Sequence, residues 1–175
     1  LLHDGHHVHC LIRNTEQQDA LTTRGITVTV GDATSEEDMK QCITEAKEHG
    51  EINGLLHCVG SIVIRPPHAL NKDAFEEVIT TNLTSAFLAL SIAGKAMLRQ
   101  GSGRMVFSSS VAGSLGLVNH EAIAAAKGGI EAMVRASAAT YARRGLRINA
   151  VAPGLTDTKM ASKILSSDAM RETAA

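Results

Sequence analysis

The sequence predicts one α/β domain in which a parallel sheet is covered by helices on both sides. Two observations lead to this prediction. Apolar segments of strand length alternate with helical patterns along the chain, and these segments are apolar on both faces rather than at every second residue. A chain of 175 residues is long enough for one domain with a sizeable core, so we expect a single domain over 1–175.

The first third of the chain predicts two strands and two helices. Gly5 is expected to stop a short helical turn, and HVHCLI is then a predicted strand. A short helix from about Asn14 follows, and the β-branched residues of GITVTV predict the second strand. Ser35 is a candidate N-cap for the next helix, which Gly50 can end.

The remaining elements continue this alternation. GLLHCV predicts a buried strand, and the two prolines of GSIVIRPPHALN exclude regular structure from the loop after it. A long helix is predicted from about Asp73 to Leu98, then the strand RMVFSS, a helix from Glu121 to Arg143 and the strand LRINAV. Only weak helical signals fill the last 17 residues.

Composition argues against several classes of function. The formal net charge is −1 and the basic residues are dispersed, so nothing favours nucleic acid or an anionic membrane as a partner. No apolar run approaches the roughly 20 residues of a membrane-spanning helix, and no secretory signal is visible. Three widely spaced cysteines match neither a disulfide framework nor a zinc pattern, so we expect a reducing, cytoplasmic setting.

Histidines are concentrated near the start of the chain, in HDGHHVHC. This segment has the residue types of a metal site, but His7 and His9 would share one face of a strand while Cys10 points to the other. No partner cluster of ligand residues follows. We therefore predict no metal site and interpret these residues as ordinary turn and strand histidines.

Polar residues and glycines recur where the predicted strands end. Arg13 follows the first strand, Asp32 the second and Gly60 the third. A run of three serines follows the fourth strand, and the pair Pro153-Gly154 follows the fifth. Ligands of such folds bind beyond the carboxyl ends of the strands. This placement predicts a ligand site without defining its chemistry.

The chain resembles the short-chain dehydrogenase/reductase family over nearly its whole length. The most specific part is GRMVFSSSVAG together with AAAKGGIEAMVRASAATYARRGLRINAVAPG. The resemblance implies a Rossmann-like, doubly wound parallel sheet in three α/β/α layers that binds NAD or NADP. It also implies a small-molecule carbonyl or alcohol as substrate, and dimers or tetramers that pair through the long helices.

The resemblance also implies roles for individual residues. Asn82 matches the family's active-site asparagine, and Ser110 matches the serine that holds the substrate oxygen. Lys127 matches the lysine that binds the nicotinamide ribose and lowers the pKa of a tyrosine, and Asp32 matches the aspartate at the adenine ring. The other implied cofactor-binding residues are Ala33 beside that aspartate, Cys58 and Gly60 in HCVG at the adenosine ribose, and Pro153, Gly154, Thr156 and Thr158 in PGLTDT at the nicotinamide amide.

Each matching residue also has an ordinary structural interpretation. Asn82 can pack or bond back within its helix, Ser110 can cap a loop, and Lys127 can be a surface lysine. Pro153-Gly154 can be a turn and nothing more. The joint placement of these residues at strand ends, with the spacing of the family, favours the functional interpretation.

The charge near the first predicted strand favours NADP over NAD. Where NAD-preferring relatives carry an acid for the ribose hydroxyls, this chain has Ile12, and Arg13 follows it. A carboxylate repels a 2′-phosphate, whereas a guanidinium binds it through two hydrogen bonds. The alternative, that Arg13 is merely solvent-facing, stays open at this point.

Two features depart from the family pattern. First, the sequence contains no glycine-rich loop before its first strand, although such a loop lets backbone N–H groups approach a pyrophosphate. We therefore expect the chain to be a fragment of a longer protein, lacking both the glycine-rich loop and the C-terminal end. Second, the family signature Tyr-x-x-x-Lys reads IAAAK, with Ile123 at the tyrosine position.

Ile123 removes the proton donor of the implied reaction. Hydride reduction of a carbonyl leaves a negative oxygen that must receive a proton, and isoleucine has none to give. Tyr141 lies 18 residues further on, about 27 Å along a helix, and cannot reach. His120, Ser109 or a lysine-bound water stay open as weaker donors. The sequence thus leaves two alternatives: an altered NADP-dependent oxidoreductase, or a catalytically inactive nucleotide-binding or interaction module of the same fold.

Overall fold

Strands and helices alternate along the chain as the sequence predicts. The computed structural model describes residues 1–158 and 161, so most of the predicted C-terminal helical signals lie outside the described residues. The elements are, in order, β1 (His9–Ile12), α1 (Gln18–Thr22), β2 (Thr27–Val30), α2 (Glu36–Lys47), β3 (Gly54–His57), α3 (Lys72–Ile79), α4 (Ser85–Gln100), β4 (Gly103–Ser108), α5 (Glu121–Tyr141) and β5 (Leu146–Val151).

All strand pairs in the described part of the chain are parallel. β1 pairs with β2, with His9 opposite Thr27, and β3, β4 and β5 pair in that order. Within residues 1–158 no ladder of hydrogen bonds joins β1 to β3, so the predicted sheet is present as a two-stranded and a three-stranded part. Helix α2 packs on β1 and β2 and also on α4, and in this way connects the two parts.

The main core lies between the three-stranded part of the sheet and the helices. Aliphatic and methionine side chains fill it, as expected for a chain with 2% aromatic residues. Each such side chain contributes about 1.5–3 kcal/mol when fully buried. The largest fully buried apolar residues are Phe107, Met97, Met105, Ile130, Leu146 and Val78.

The long helix predicted from Asp73 to Leu98 contains an irregular turn. Its two halves, α3 and α4, are joined by a π-helical turn over Thr80–Thr84. The predicted long helix is therefore continuous from Lys72 to Gln100, but its irregular turn was not predicted. A π turn adds one residue to a helical turn, which periodicity does not reveal, and such turns are frequent at functional sites. Asn82 lies at the centre of this turn.

The same helical segment, Lys72–Gln100, is long and apolar enough to cross a membrane, judged by length and composition alone. Its most apolar window of 18 residues has a mean hydropathy of 1.2, and 44% of that window is buried inside the protein. Polar residues interrupt this segment, among them Thr81, Asn82 and Ser85, so it is not an uninterrupted apolar run of that length. Alanines on the core-facing side of α4 raise the hydropathy, and core helices commonly reach this value, so it is weak evidence for a membrane span.

Helix ends follow the local signals in the sequence. The Ser35 side chain accepts a hydrogen bond from the Asp38 backbone N–H at the start of α2, although that helix ends at Lys47, before Gly50. Gly101 ends α4 in a left-handed conformation, with φ 78°. Gly5 does the same, with φ 79°, after a single 3₁₀ turn. Local chemistry therefore sets most boundaries.

Candidate active site

Three of the predicted site residues meet at the carboxyl edge of β3 and β4. Gly60 follows β3, and a Cβ atom at this glycine would lie 2.8 Å from Asn82 Oδ1 and 3.4 Å from Lys127 Nζ. The asparagine comes from the π turn and the lysine from α5. The fold therefore brings together residues from three segments, and the approach is close enough that only glycine fits at position 60.

Asn82 is fully buried, and its amide is satisfied within the protein. Nδ2 donates to Ser61 Oγ at 3.1 Å and to the Val78 carbonyl oxygen at 2.9 Å. Oδ1 accepts a hydrogen bond from the Ser61 backbone N–H at 3.2 Å. The amide thus fixes the loop after β3 against the helix, and part of its hydrogen bonding is the back-bonding that the sequence also allowed.

Lys127 is buried, with 7% of its surface exposed, so it is not a surface lysine. Nζ donates to the Ser108 carbonyl oxygen at 2.8 Å, at the end of β4. Burial lowers the pKa of Lys127, and the neighbouring Cys58 acts in the opposite direction. A buried cation with a shifted pKa, here at the carboxyl edge of the sheet, is a common mark of a functional site.

Ser110 and Pro153 lie on loops that are bonded to each other. The Ser110 hydroxyl accepts a hydrogen bond from the Ala112 backbone N–H at 3.2 Å and so caps a 3₁₀ turn. A hydroxyl that accepts in this way still has its own proton to donate. The Val111 backbone N–H donates to the Pro153 carbonyl oxygen at 3.1 Å. The fourth and fifth strand ends therefore form one continuous edge, as predicted.

Ile123 lies one helical turn before Lys127 on α5 and is 3% exposed. It belongs to a small apolar cluster with Val78, Ala112 and Ala122. Position 123, where the family has its tyrosine, therefore holds an aliphatic side chain. It packs against Val78 of α3 and Ala112 in the loop after β4.

The alternative proton donors differ in how they are bonded. The Ser109 hydroxyl is buried and contacts two acceptors of α5, Glu131 Oε1 at 2.8 Å and the Lys127 carbonyl oxygen at 3.2 Å. It is therefore committed to the helix. His120 occupies the N-cap position of α5, and its Nδ1 donates to the Val118 carbonyl oxygen at 2.7 Å. Its Nε2 is then the acceptor when the ring is neutral. Tyr141 packs against the main core.

His57 is a buried residue whose importance the sequence analysis missed. Its ring is 4% exposed, and Nε2 lies 3.1 Å from Ser85 Oγ. Because Ser85 Oγ donates to the Thr81 carbonyl oxygen at 2.6 Å, His57 must donate through Nε2, which leaves Nδ1 as a buried acceptor without a partner. Burial, aided by the Lys127 cation, lowers the pKa of His57 to about 4.

A second group of predicted residues lies at the carboxyl edge of β1 and β2. Arg13 is 83% exposed, and its Nη1 lies 3.8 Å from Asp32 Oδ2. Asp32 Oδ1 accepts hydrogen bonds from the Thr34 backbone N–H at 2.8 Å and the Thr34 hydroxyl at 2.7 Å, and these bonds lower the pKa of Asp32, with Arg13 as a smaller cause. An exposed ion pair of this kind contributes little to stability. The Arg13 guanidinium is therefore accessible to an anion.

The remaining predicted cofactor-binding residues are mostly solvent-exposed. Ala33 is buried, whereas Cys58, Pro153, Gly154, Thr156 and Thr158 are exposed. The hydrogen bonds of the two threonine hydroxyls stay within their loop, since Thr156 Oγ1 donates to the Gly154 carbonyl oxygen and Thr158 Oγ1 to the Thr156 carbonyl oxygen. The contact of this loop with a cofactor stays a prediction.

This arrangement defines a class of protein. A parallel α/β domain of this kind has the architecture of a Rossmann-type domain, with a buried lysine and an asparagine at the carboxyl edge of one set of strands and an exposed arginine at the edge of the next.

Comparison with known sequences identifies the family. Residues 2–175 match the family model described as enoyl-(acyl carrier protein) reductase. The chain is 35% identical over 162 residues to 2-(S)-hydroxypropyl-CoM dehydrogenase 3 of Xanthobacter autotrophicus, covering 90% of this chain and 64% of that protein. It is 36% identical over 137 residues to levodione reductase of Leifsonia aquatica, covering 77% and 51%. The chain belongs to the short-chain dehydrogenase/reductase family of NAD(P)-dependent oxidoreductases.

Solved structures agree with this assignment. The crystal structure of levodione reductase superposes with a TM-score of 0.87 at 30% identity, covering 96% of this chain and 70% of that one. Gluconate 5-dehydrogenase from Burkholderia cenocepacia, in complex with NADP and tartrate, gives a TM-score of 0.88, with 94% and 68% covered, and at 23% identity supports the fold alone. The chain spans less than two thirds of the length of the curated relatives it matches.

Proposed function

We propose that this protein binds NADP(H) and transfers hydride between it and a small carbonyl or alcohol substrate, slowly because of Ile123. The observation that best supports the proposal is Lys127. Its ammonium group is buried at the carboxyl edge of the sheet, donates to the Ser108 carbonyl oxygen at 2.8 Å, and lies against Gly60. A fold that needed only packing at this position would not bury a cation.

The described residues fit both ends of the proposed cofactor. Lys127 would hold the nicotinamide ribose, Arg13 the 2′-phosphate of the adenosine and Asp32 the adenine. His57 Nδ1 is an unpartnered buried acceptor at the end of β3, where a polar ligand group is expected to lie. The segment that would cradle the pyrophosphate is not contained in these 175 residues. Bound NADPH supplies the hydride.

Two side chains of this chain would act on the substrate. The Ser110 hydroxyl, which already accepts from Ala112, would donate its proton in a hydrogen bond to the carbonyl oxygen. The Lys127 cation would stabilise the negative charge that develops on that oxygen. Ile123 provides no acid, and a missing acid typically costs about 10²- to 10⁴-fold in rate. His120, three residues before Ile123, is a candidate replacement.

A second candidate function is nucleotide binding without turnover. The burial of Ile123 in an apolar cluster with Val78 and Ala112 favours it, because the side chain contributes packing at the position where the family places an acid.

Nucleotide binding and turnover by the full chain separate the two candidates. We expect NADPH to bind more tightly than NADH in calorimetry, and Arg13→Glu to remove that preference, whereas Arg143→Glu, in a surface turn after α5, retains it. NADPH oxidation with a panel of aldehydes and ketones then tests for turnover. Binding without turnover would support the second candidate, and no binding of either nucleotide would contradict both.

Substitution of Ile123 tests the account of the missing acid. Ile123→Tyr should raise the rate of NADPH oxidation, whereas Ile123→Phe adds the same ring without the hydroxyl and should not. Equal rates in the two variants would mean that the gain comes from packing. Circular dichroism of both variants controls for overpacking of the cluster, which costs about 1–3 kcal/mol.

We also propose a cytoplasmic homodimer or homotetramer. The three cysteines, Cys10, Cys42 and Cys58, are all unpaired, which suits a reducing compartment. A groove between α4 and α5 is lined by Leu90, Met133 and the half-exposed Phe87. Light scattering should show that the parent chain is an oligomer. Phe87→Glu should dissociate this oligomer, whereas Phe75→Glu, which lies outside the groove, should not. A monomeric parent chain would contradict this proposal.

A further inference from the structure

We propose that His7, His9 and His49 bind a divalent transition metal ion that favours imidazole ligands, with Zn²⁺ as the probe of choice. The three residues lie at the amino ends of β1 and β2 and just beyond the end of α2. This is the opposite edge of the sheet from Lys127 and Arg13. A metal ion here would therefore be separate from the proposed nucleotide site.

The three imidazoles are close enough to share one ion after a small rearrangement. One ring nitrogen from each residue lies within 4.8 Å of the others. Tetrahedral Zn²⁺, with bonds of about 2.0–2.1 Å, requires nitrogens about 3.3 Å apart. His7 and His49 are exposed and stacked, with ring centroids 3.9 Å apart and planes at 23°. Their side chains can rotate to converge without disturbing the core.

The hydrogen bonds of His9 orient it as a metal ligand. The Thr29 hydroxyl donates to the Glu45 carboxylate, so its oxygen accepts from His9 Nε2, at 2.7 Å. Neutral His9 therefore carries its proton on Nε2 and has a lone pair on Nδ1. A histidine that binds a metal ion through one ring nitrogen usually donates the N–H of the other nitrogen to a hydrogen-bond acceptor such as a carboxylate, a backbone carbonyl or water, which fixes the tautomer. Here the acceptor for His9 Nε2 is the Thr29 hydroxyl, which in turn donates to the Glu45 carboxylate.

The lone pair of His9 and the ring of His7 point toward the same place. His9 Nδ1 lies 2.7 Å and His7 Nε2 lies 2.9 Å from the hydroxyl oxygen of Thr27. A metal ion bound to His9 Nδ1 would take the place of this hydroxyl oxygen, so the Thr27 side chain would turn away and lose its hydrogen bond to His9. That hydroxyl has a second acceptor, the Val8 carbonyl oxygen at 3.3 Å, and so it would not be left without a partner.

This site differs from the one considered in the sequence. The histidine-rich segment HDGHHVHC lacks a third convergent ligand, and Cys10 does not belong to the cluster, in agreement with the strand argument. The third ligand, His49, follows His9 by 40 residues and reaches it because α2 returns the chain to the amino edge of β1. The prediction of no metal site considered only the local segment.

A metal ion at this position would join the start of β1 to the end of α2. Because the unfolded chain does not hold these three residues together, metal binding would favour the folded state. The expected consequence is a rise in the melting temperature of the full chain when Zn²⁺ is added.

Titration of Zn²⁺ into the full chain by calorimetry tests the proposal. His49→Ala should weaken binding at least about tenfold and abolish the rise in melting temperature. The matched control is the double variant His3→Ala/His6→Ala, which removes two exposed histidines of the same segment outside the cluster and should bind as the parent does. His49 is exposed, so its loss leaves the fold intact.

The visible spectrum of Co²⁺ provides a second readout. Three nitrogen ligands in a tetrahedral site should produce intense absorption bands in the parent chain and in the control, and weak bands in His49→Ala. The proposal would be overturned if His49→Ala bound Zn²⁺ as tightly as the parent, or if the His3→Ala/His6→Ala variant lost as much Zn²⁺ affinity as His49→Ala. It would also be overturned if the parent gave no heat of Zn²⁺ binding at all.

Discussion

Acidification should weaken this fold through one buried imidazole, His57. The ring is 4% exposed, and burial together with the Lys127 cation lowers its pKa from 6.5 to about 4. As the pH falls, the unfolded chain takes up a proton on this ring near pH 6.5, before the folded protein does. Because the folded pKa is the lower of the two, the stabilisation is fully present above about pH 6.5 and is lost as the pH falls toward 4.

The size of the effect follows from the difference between the two pKa values. One pKa unit corresponds to about 1.4 kcal/mol, so the complete loss is about 3 kcal/mol, most of which has occurred by pH 4.5. A typical domain has a free energy of unfolding of about 5–15 kcal/mol. The predicted loss is therefore large enough to measure and large enough to threaten the fold.

Urea denaturation at pH 7.5, 6.5, 5.5 and 4.5 measures this loss, with far-ultraviolet circular dichroism as the signal. The variant His57→Asn lacks the titrating ring and should lose about 2.5 kcal/mol less than the parent between pH 7.5 and pH 4.5. Other groups that titrate here, including His9, are present in both proteins and cancel in the difference. Lys127→Met should give an intermediate result, because it removes only the neighbouring cation.

Parallel pH dependence in the parent and His57→Asn, within about 0.5 kcal/mol, would refute the reasoning. If His57→Asn does not fold, the titration of the His57 ring protons by NMR in the parent decides the question. A midpoint near 6.5 would show that neither burial nor Lys127 governs this ring.

Two further predictions concern a turn and the thiols. In urea denaturation, Gly145→Ala should lower the free energy of unfolding by clearly more than Gly5→Ala. Both glycines have positive φ, which costs about 1–2 kcal/mol for alanine, but only at Gly145 would the new Cβ also collide with the Gly101 carbonyl oxygen. Equal losses in the two variants would contradict this prediction. Burial raises the pKa of Cys42 to about 11, so only about one thiol in a thousand is ionised at pH 8. The exposed Cys58 should therefore react first with a thiol reagent, and mass spectrometry that found Cys42 labelled first would refute this.

Local signals in the sequence predicted the fold well where neighbouring residues decide the structure. Ser35 caps α2 because its hydroxyl reaches the N–H three residues later, and Gly101 ends α4 because glycine tolerates positive φ. The π turn at Asn82 was missed for the opposite reason. Asn82 in this turn donates to Ser61, which belongs to a different segment of the chain, so its surroundings cannot be read from neighbouring residues.

The candidate site was predicted in part. The parallel order of the strands dictates that Gly60, Ser110 and Pro153 share one edge, and the sequence alone indicated this. The partners of each group were not predictable, because burial and hydrogen bonding depend on elements distant in the chain. His57 gained its low pKa only when β3 was placed beside α4 and Lys127.

The sequence by itself determined the family, the alternation of strands and helices, and the absence of a tyrosine at position 123. Residue type and short-range spacing suffice for these features. The tertiary structure alone decided that Ile123 packs in an apolar cluster, that Lys127 is buried, and that His49 joins His7 and His9. Each of these depends on side chains that meet across long separations along the chain, and only the folded backbone brings such residues within contact distance.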